Sequence, residues 1–359
     1  MTLTDRIHTE IAAQGGWLAF DRFMALALYA PGLGYYAGGR RKFGTMPGQG
    51  SDFVTAPEMS PLFGSTLARQ VAQAFEASGV REVVEFGAGS GALAAQLIAE
   101  LDALGAGLAR YRIVELSAEL RERQRERLAA WGGRVAWLDE LPEALEAVVV
   151  GNEVLDAMPV QLIAFDGQVW RERGVVSAGG GFAFADRDAA LRPPIDTGFV
   201  PGTVTEIHPQ GEAFTATLAR TLKRGAAFFL DYGFPEAEYY HPQRHGGTLM
   251  CHQGHLADGD PLVAVGDKDI TAHVNFTGIA LAGQDAGLTV LGYTSQANFL
   301  LNCGIAELLQ HAGLHERTMA HRLLAEHEMG ELFKVIGFAP ADAPFDALGF
   351  ARADRSHTL

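Results

Sequence analysis

The sequence predicts an α/β protein built on a parallel sheet with helices on both faces. Three observations carry this. From Arg81 onward, short apolar runs alternate with helix-length segments. The first run, 82–86, empties into a loop with three glycines. A later run, Val148-Val149-Val150-Gly151, ends in a polar tip. Alternation of this kind buries strands between two helical layers.

The elements follow in order. Residues 1–80 read mostly as helix, with Trp17, Phe20, Phe23, Met24, Ala27 and Leu28 making one apolar face. A turn-rich stretch, 29–36, precedes a loop at 38–50 with five glycines and three basic residues, which reads as a lid. Ser60 caps the next helix, whose apolar side runs from Phe63 to Phe75. Strands are expected at 82–86, 111–115, 134–138, 146–151 and 226–231, and helices near 91–104, 117–130 and 208–223. Residues 160–207 interrupt the alternation with antiparallel strands and a turn at Gly179-Gly180-Gly181. A second interruption, 232–285, is rich in Gly, His and Pro. Residues 332–336 read as a last strand, and the chain from Asp342 as a loose tail.

The loop after the first strand is the most informative feature. Gly87, Gly89 and Gly91 let the backbone turn tightly and approach a ligand closely, and Ala88 and Ala92 complete a G-x-G-x-x-G/A pattern. That pattern also serves dinucleotides, or a tight turn alone. Glu85, two residues before the first glycine, suits the ammonium or sulfonium of S-adenosylmethionine better than a pyrophosphate. Glu115, at the tip of the second strand, can accept both hydroxyls of a ribose. The fourth strand's tip carries Asn152, Glu153 and Asp156. One helical turn would put Glu153 and Asp156 on a single face. Ligands of open α/β sheets bind at strand C-termini, which brings this tip beside the glycine loop. Two acids beside a methyl donor suit a cationic acceptor. Asp156 reads equally as a helix N-cap.

Composition narrows the partners. Lys+Arg 28 against Asp+Glu 43 gives a net charge of −15, a field that repels phosphate backbones and favours a basic protein partner. Cys251 and Cys303 are too few for a disulfide framework and point to a reducing compartment. With no signal-like or membrane-length apolar run, the expected location is the cytoplasm. His241, His245, Cys251, His252 and His255 share one loop, but their spacings match no closed zinc site and no metal is expected. His273 reads as a hydrogen-bonded loop histidine or a general base. Apolar helices in residues 1–80 could serve a homodimer as well as a core.

Beyond these residues, the chain resembles the MidA family of S-adenosylmethionine-dependent methyltransferases. The matching segments run through nearly the whole chain: 27–29 with 34–36, 52–58, 85–91, 152–159, 231–233, 247–249, 269–276 and 329–335. Ser51 and Asn275 depart from it, standing where the family often has glycine and aspartate. The resemblance implies a class I methyltransferase (Rossmann-like) fold, a mostly parallel seven-stranded sheet with one antiparallel strand in the last pair. The expected organisation is an N-terminal helical region with a cofactor-covering loop (1–80) and a methyltransferase core (81–359), interrupted at 160–207 and 232–285. S-adenosylmethionine is implied as cofactor, leaving S-adenosylhomocysteine, and an arginine of a respiratory complex I subunit as acceptor. In this reading Glu85, Gly87, Ala88, Gly89, Gly91, Glu115, Leu116, Asp52, Phe53, Thr55 and Asn152 hold the cofactor, and Glu153, Asp156 and Asn152 carry the chemistry. The competing readings are a methyltransferase for a small molecule or another side chain, a cofactor-binding assembly factor, and a nicotinamide dehydrogenase.

Overall fold

The computed structural model describes residues 1–38, 55–196, 198–254 and 256–359. Most of the expected lid at 38–50, and Asp52 and Phe53 among the expected cofactor residues, lie outside this description. Seven strands form the central sheet: β1 (Glu82–Phe86), β2 (Arg110–Val114), β3 (Val135–Leu138), β4 (Leu145–Asn152), β5 (Leu222–Phe234), β6 (Leu288–Ser295) and β7 (Phe333–Pro340). Their order is β3-β2-β1-β4-β5-β7-β6, with Val274–Asn275 added beside the end of β5. Neighbours are parallel from β3 to β5, while β7 runs antiparallel to both β5 and β6. This is the sheet that the resemblance implies.

The apolar runs of β1, β4 and β5 are buried because helices cover both faces. One face is closed by helices Pro61–Ser78 and Ala92–Ala103, through Phe63, Leu67, Val71, Leu93 and Leu97. The other is closed by Pro209–Thr221 and Phe276–Asp285, through Leu218, Phe276 and Ile279. Strand order reverses at β1, whose neighbours are β2 and β4. The C-terminal ends of β1 and β4 therefore flank the crevice where such sheets bind ligands, with Phe86 level with Gly151.

Helix Pro61–Ser78 starts at the expected cap, the Ser60 hydroxyl accepting from the Leu62 N–H, and ends at Gly79 in a left-handed conformation. Although it lies within residues 1–80, it belongs by packing to the sheet's core. The preceding helices, Leu3–Ala13 and Phe20–Tyr29, instead share a core with a five-stranded antiparallel sheet, four of whose strands come from the first insertion. Leu18–Ala19 pairs directly with strand Trp170–Ala178.

The tail is not loose. Phe350 is buried over Gly292 and Gly337, where a Cβ would lie 2.2 Å and 2.6 Å from its ring. Asp354 accepts from the Tyr293 N–H and Arg355 pairs with Glu331. No helix among the described residues is long and apolar enough to cross a membrane.

Candidate active site

The glycine loop is shaped by three left-handed residues, Gly87 (φ 62), Gly89 (φ 51) and Gly91 (φ 81). The Gly87 N–H donates to the Val114 carbonyl at 3.0 Å, which fixes the loop against the end of β2. Gly91 begins helix Ala92–Ala103. Two supports were not legible from spacing. The buried Gln124 side chain donates to the Gly89 carbonyl (2.9 Å) and to Glu115 (3.1 Å), tying the loop to the tip of β2. Ser90 donates to Glu58, which Arg127 also reaches at 3.0 Å. This clasp joins the loop to the short helix Ala56–Met59.

Glu85 and Glu115 are both buried and both line one cavity of about 850 Å³. Burial pushes the Glu85 carboxyl up to about 8, although the Tyr111 hydroxyl donates to it at 2.7 Å. Burial also raises Glu115, opposed by the Ser117 N–H at 2.9 Å and by Gln124. Beside Glu115, Leu116 is 77% exposed and lines the same cavity. Thr55 and Asn152 line it as well.

At the tip of β4 the expected helical turn does not form. Glu153 is left-handed (φ 55), and residues 153–156 instead wrap around Asp231 at the end of β5. One Asp231 oxygen accepts from the N–H groups of Val154 (3.0 Å), Leu155 (2.8 Å) and Asp156 (3.3 Å). The Glu153 N–H donates to the Leu230 carbonyl at 2.9 Å. The register that sets Leu230 beside Asn152 makes this possible. Glu153 and Asp156 still reach the same cavity, so the expected juxtaposition holds by a different route. Asp156 caps no helix. The Tyr232 hydroxyl donates to its Oδ2, and its Oδ1 is buried without a partner. Asn152 Nδ2 donates to Glu153 Oε1 at 2.9 Å, while Asn152 Oδ1 has no partner. Burial, with Asp156 nearby, pushes Glu153 up to about 8.

Asp269 and His273 complete this end of the cavity. Burial, Arg244 and Lys334 push His273 down to about 4, so its ring is neutral. Asn275, at the other departure from the family pattern, caps helix Phe276–Asp285 by accepting from the Gly278 N–H at 3.3 Å. Among the described residues no Lys or Arg lines the cavity.

Residues 66–294 match a family model described as "Putative S-adenosyl-L-methionine-dependent methyltransferase". The chain belongs to the MidA family of S-adenosylmethionine-dependent methyltransferases. A crystal structure of a superfamily member from Burkholderia thailandensis, bound to S-adenosyl-homocysteine, is 54% identical with a TM-score of 0.96. The match covers 99% of this chain and 96% of that one. A native structure from the same organism is 52% identical, with a TM-score of 0.92 over the same shares. Protein arginine methyltransferase NDUFAF7, mitochondrial, of Mus musculus is 28% identical over 90% of this chain and 81% of its own length.

S-adenosylmethionine is the cofactor of this MidA-family enzyme, and the residues present fit it. A side chain at Gly87 would put its Cβ 3.2 Å from Val154 Cγ2, so the glycine leaves the cradle open. Glu115 can serve a ribose, the exposed face of Leu116 an adenine, and the unpartnered Asn152 Oδ1 or Glu85 an ammonium. The segment Asp231-Tyr232-Gly233, which from sequence could line the acceptor pocket or cap the turn, does both: Asp231 caps the turn and Tyr232 lines the cavity. Asp231→Ala would take the side-chain acceptor from four N–H groups, those of Val154, Leu155, Asp156 and Tyr232, and a loss of about 3 kcal/mol is expected. Asp231→Asn should keep most of the stability, as measured by denaturant unfolding.

Proposed function

We propose that this methyltransferase acts on an arginine side chain of a partner protein. One observation carries the reading. Glu153 and the unpartnered Asp156 Oδ1 face a cavity with no cationic side chain among the described residues, and the glycine loop lines the same cavity. A guanidinium supplies what is missing, a planar cation whose N–H groups bind carboxylates two at a time. The names of the curated relatives support the same acceptor class.

When bound, S-adenosylmethionine supplies an electrophilic methyl on a cationic sulfur. The chain's own residues hold and orient the acceptor. In this proposal Glu153 takes two N–H groups of the guanidinium and draws its positive charge to that side, which leaves the remaining nitrogen the better nucleophile. Asn152 fixes the Glu153 carboxylate through Oε1. Asp156 Oδ1 takes a further N–H and can receive the proton released as the N–CH₃ bond forms. Glu85 and Glu115 anchor the cofactor. The walls of the cavity exclude water and align donor with acceptor.

Protonation follows with a definite sign. With its carboxyl at about 8, Glu153 holds a proton at neutral pH until a guanidinium displaces it. The ionised form binds the cation, so kcat/KM for the acceptor should rise with pH toward about 8, up to about tenfold per unit below it. Acceptor binding at pH 7 should also release protons, measurable by calorimetry in buffers of different ionisation enthalpy.

A respiratory complex I subunit, which the family resemblance brings forward, is the proposed partner, and the net charge of −15 favours a basic surface on it. Both cysteines are buried and free, which suits the cytoplasm as the proposed site of action. Proteome-wide mass spectrometry of wild type against a deletion strain tests the reading. Loss of a methyl-arginine mark is expected. Loss of methylation only on another side chain or on a small molecule would overturn it.

A further inference from the structure

We propose that the stacked rings of Tyr29 and Tyr36 form the wall against which the acceptor's guanidinium plane lies, and that this wall makes the site prefer arginine to lysine. The inference rests on the arginine reading above.

The N-terminal segment is built to produce this pair. Helix Phe20–Tyr29 ends at Tyr29, and the chain turns back through Gly32 (φ 69) and Gly34. A Cβ at Gly34 would lie 2.6 Å from Ala30 N and 2.7 Å from the Leu28 carbonyl, so only glycine permits the turn. The N–H groups of Tyr35 and Tyr36 then donate to the carbonyls of Ala27 and Leu28, each at 2.8 Å. The result is two rings with centroids 5.5 Å apart and planes at 18°.

Both hydroxyls are already used. Tyr29 donates to the Ala157 carbonyl at 2.8 Å, next to Asp156. Tyr36 donates to both oxygens of Asp269 at 2.9 Å. Each residue lines the cavity, so what the pair offers a ligand is ring surface. Burial, with Asp269 and Asp156 nearby, raises both phenols well above their ordinary value. An aromatic face backed by carboxylates favours a cation. A guanidinium is flat and weakly hydrated and stacks on rings, whereas an ammonium is a strongly hydrated point charge.

The test uses the full chain saturated with S-adenosylhomocysteine, titrated with N-acetyl-arginine methylamide and N-acetyl-lysine methylamide, with binding read by NMR. Wild type should prefer the arginine amide. Tyr29→Leu and Tyr36→Leu should each weaken it by about fivefold to tenfold, with little change for the lysine amide. Tyr36→Phe and Tyr36→Trp, which keep a ring, should retain the preference. S-adenosylhomocysteine affinity within about twofold of wild type shows that a variant is folded. If the leucine variants do not fold, the ring-retaining pair decides: loss of preference in both overturns the proposal. Leucine variants that discriminate like wild type overturn it too, and leave the arginine reading standing. A wild type that binds neither amide, or prefers lysine, overturns the arginine reading and this inference with it.

Discussion

Glu153→Gln is expected to cut methyl transfer by about a hundredfold to a thousandfold while leaving S-adenosylhomocysteine affinity within about threefold. The amide keeps the shape of the side chain and can still accept from Asn152. It cannot become an anion, so it cannot hold a guanidinium in a two-point pair or localise its charge. A variant that loses cofactor affinity together with turnover would make Glu153 a cofactor-binding residue instead. Stability gives an independent readout of opposite sign. In the ligand-free protein the Glu153 carboxyl is raised from 4.5 to about 8. The folded state thus binds this proton more tightly than the unfolded chain does. Its contribution is fully present below about pH 4.5 and is lost as pH rises through about 8. Glu153→Gln should match wild type in thermal unfolding near pH 4 and exceed it near pH 8. The residue most important to turnover would then be one whose removal makes the free protein more robust.

What the sequence made legible, and what it did not, divides by distance along the chain. The strand Glu82–Phe86, its three glycines and the acids at strand tips are local features, and local pattern located them. Asp231 is different. Three of its four N–H donors sit 75 to 77 residues away and meet it only because β5 lies beside β4 in a given register. The same holds for Tyr36 with Asp269, 233 residues apart, and for Glu58 with Ser90 and Arg127. The helical turn assumed for Glu153 and Asp156 does not form because Glu153 is left-handed, and the N–H groups that follow it turn to Asp231 on the neighbouring strand. The tail reads as loose because its anchors, Gly292 and Gly337, are recognisable only as a slot once β6 and β7 are paired. Nothing in the tail's own composition announces it.

Gly87→Val should weaken S-adenosylhomocysteine binding by about tenfold to a hundredfold, through the backbone and not through a lost contact. Gly87 sits at φ 62, a region that a β-branched residue enters at a cost of about 1–3 kcal/mol. Each 1.4 kcal/mol is about a factor of ten in affinity. The added Cβ would also stand 3.2 Å from Val154 Cγ2, in the segment that carries Glu153. The loop can relieve both by leaving the left-handed region, but that withdraws the turn from the cofactor and breaks the Gly87 N–H bond to Val114. Gly105→Val supplies the control. Gly105 has nearly the same φ, 63, and lies past the opposite end of helix Ala92–Ala103, where an added Cβ would meet nothing within 4 Å. The two variants should lose similar stability, while only Gly87→Val loses affinity in calorimetry. Equal losses of affinity in both would mean that the effect is general destabilisation and that the glycine loop does not hold the cofactor.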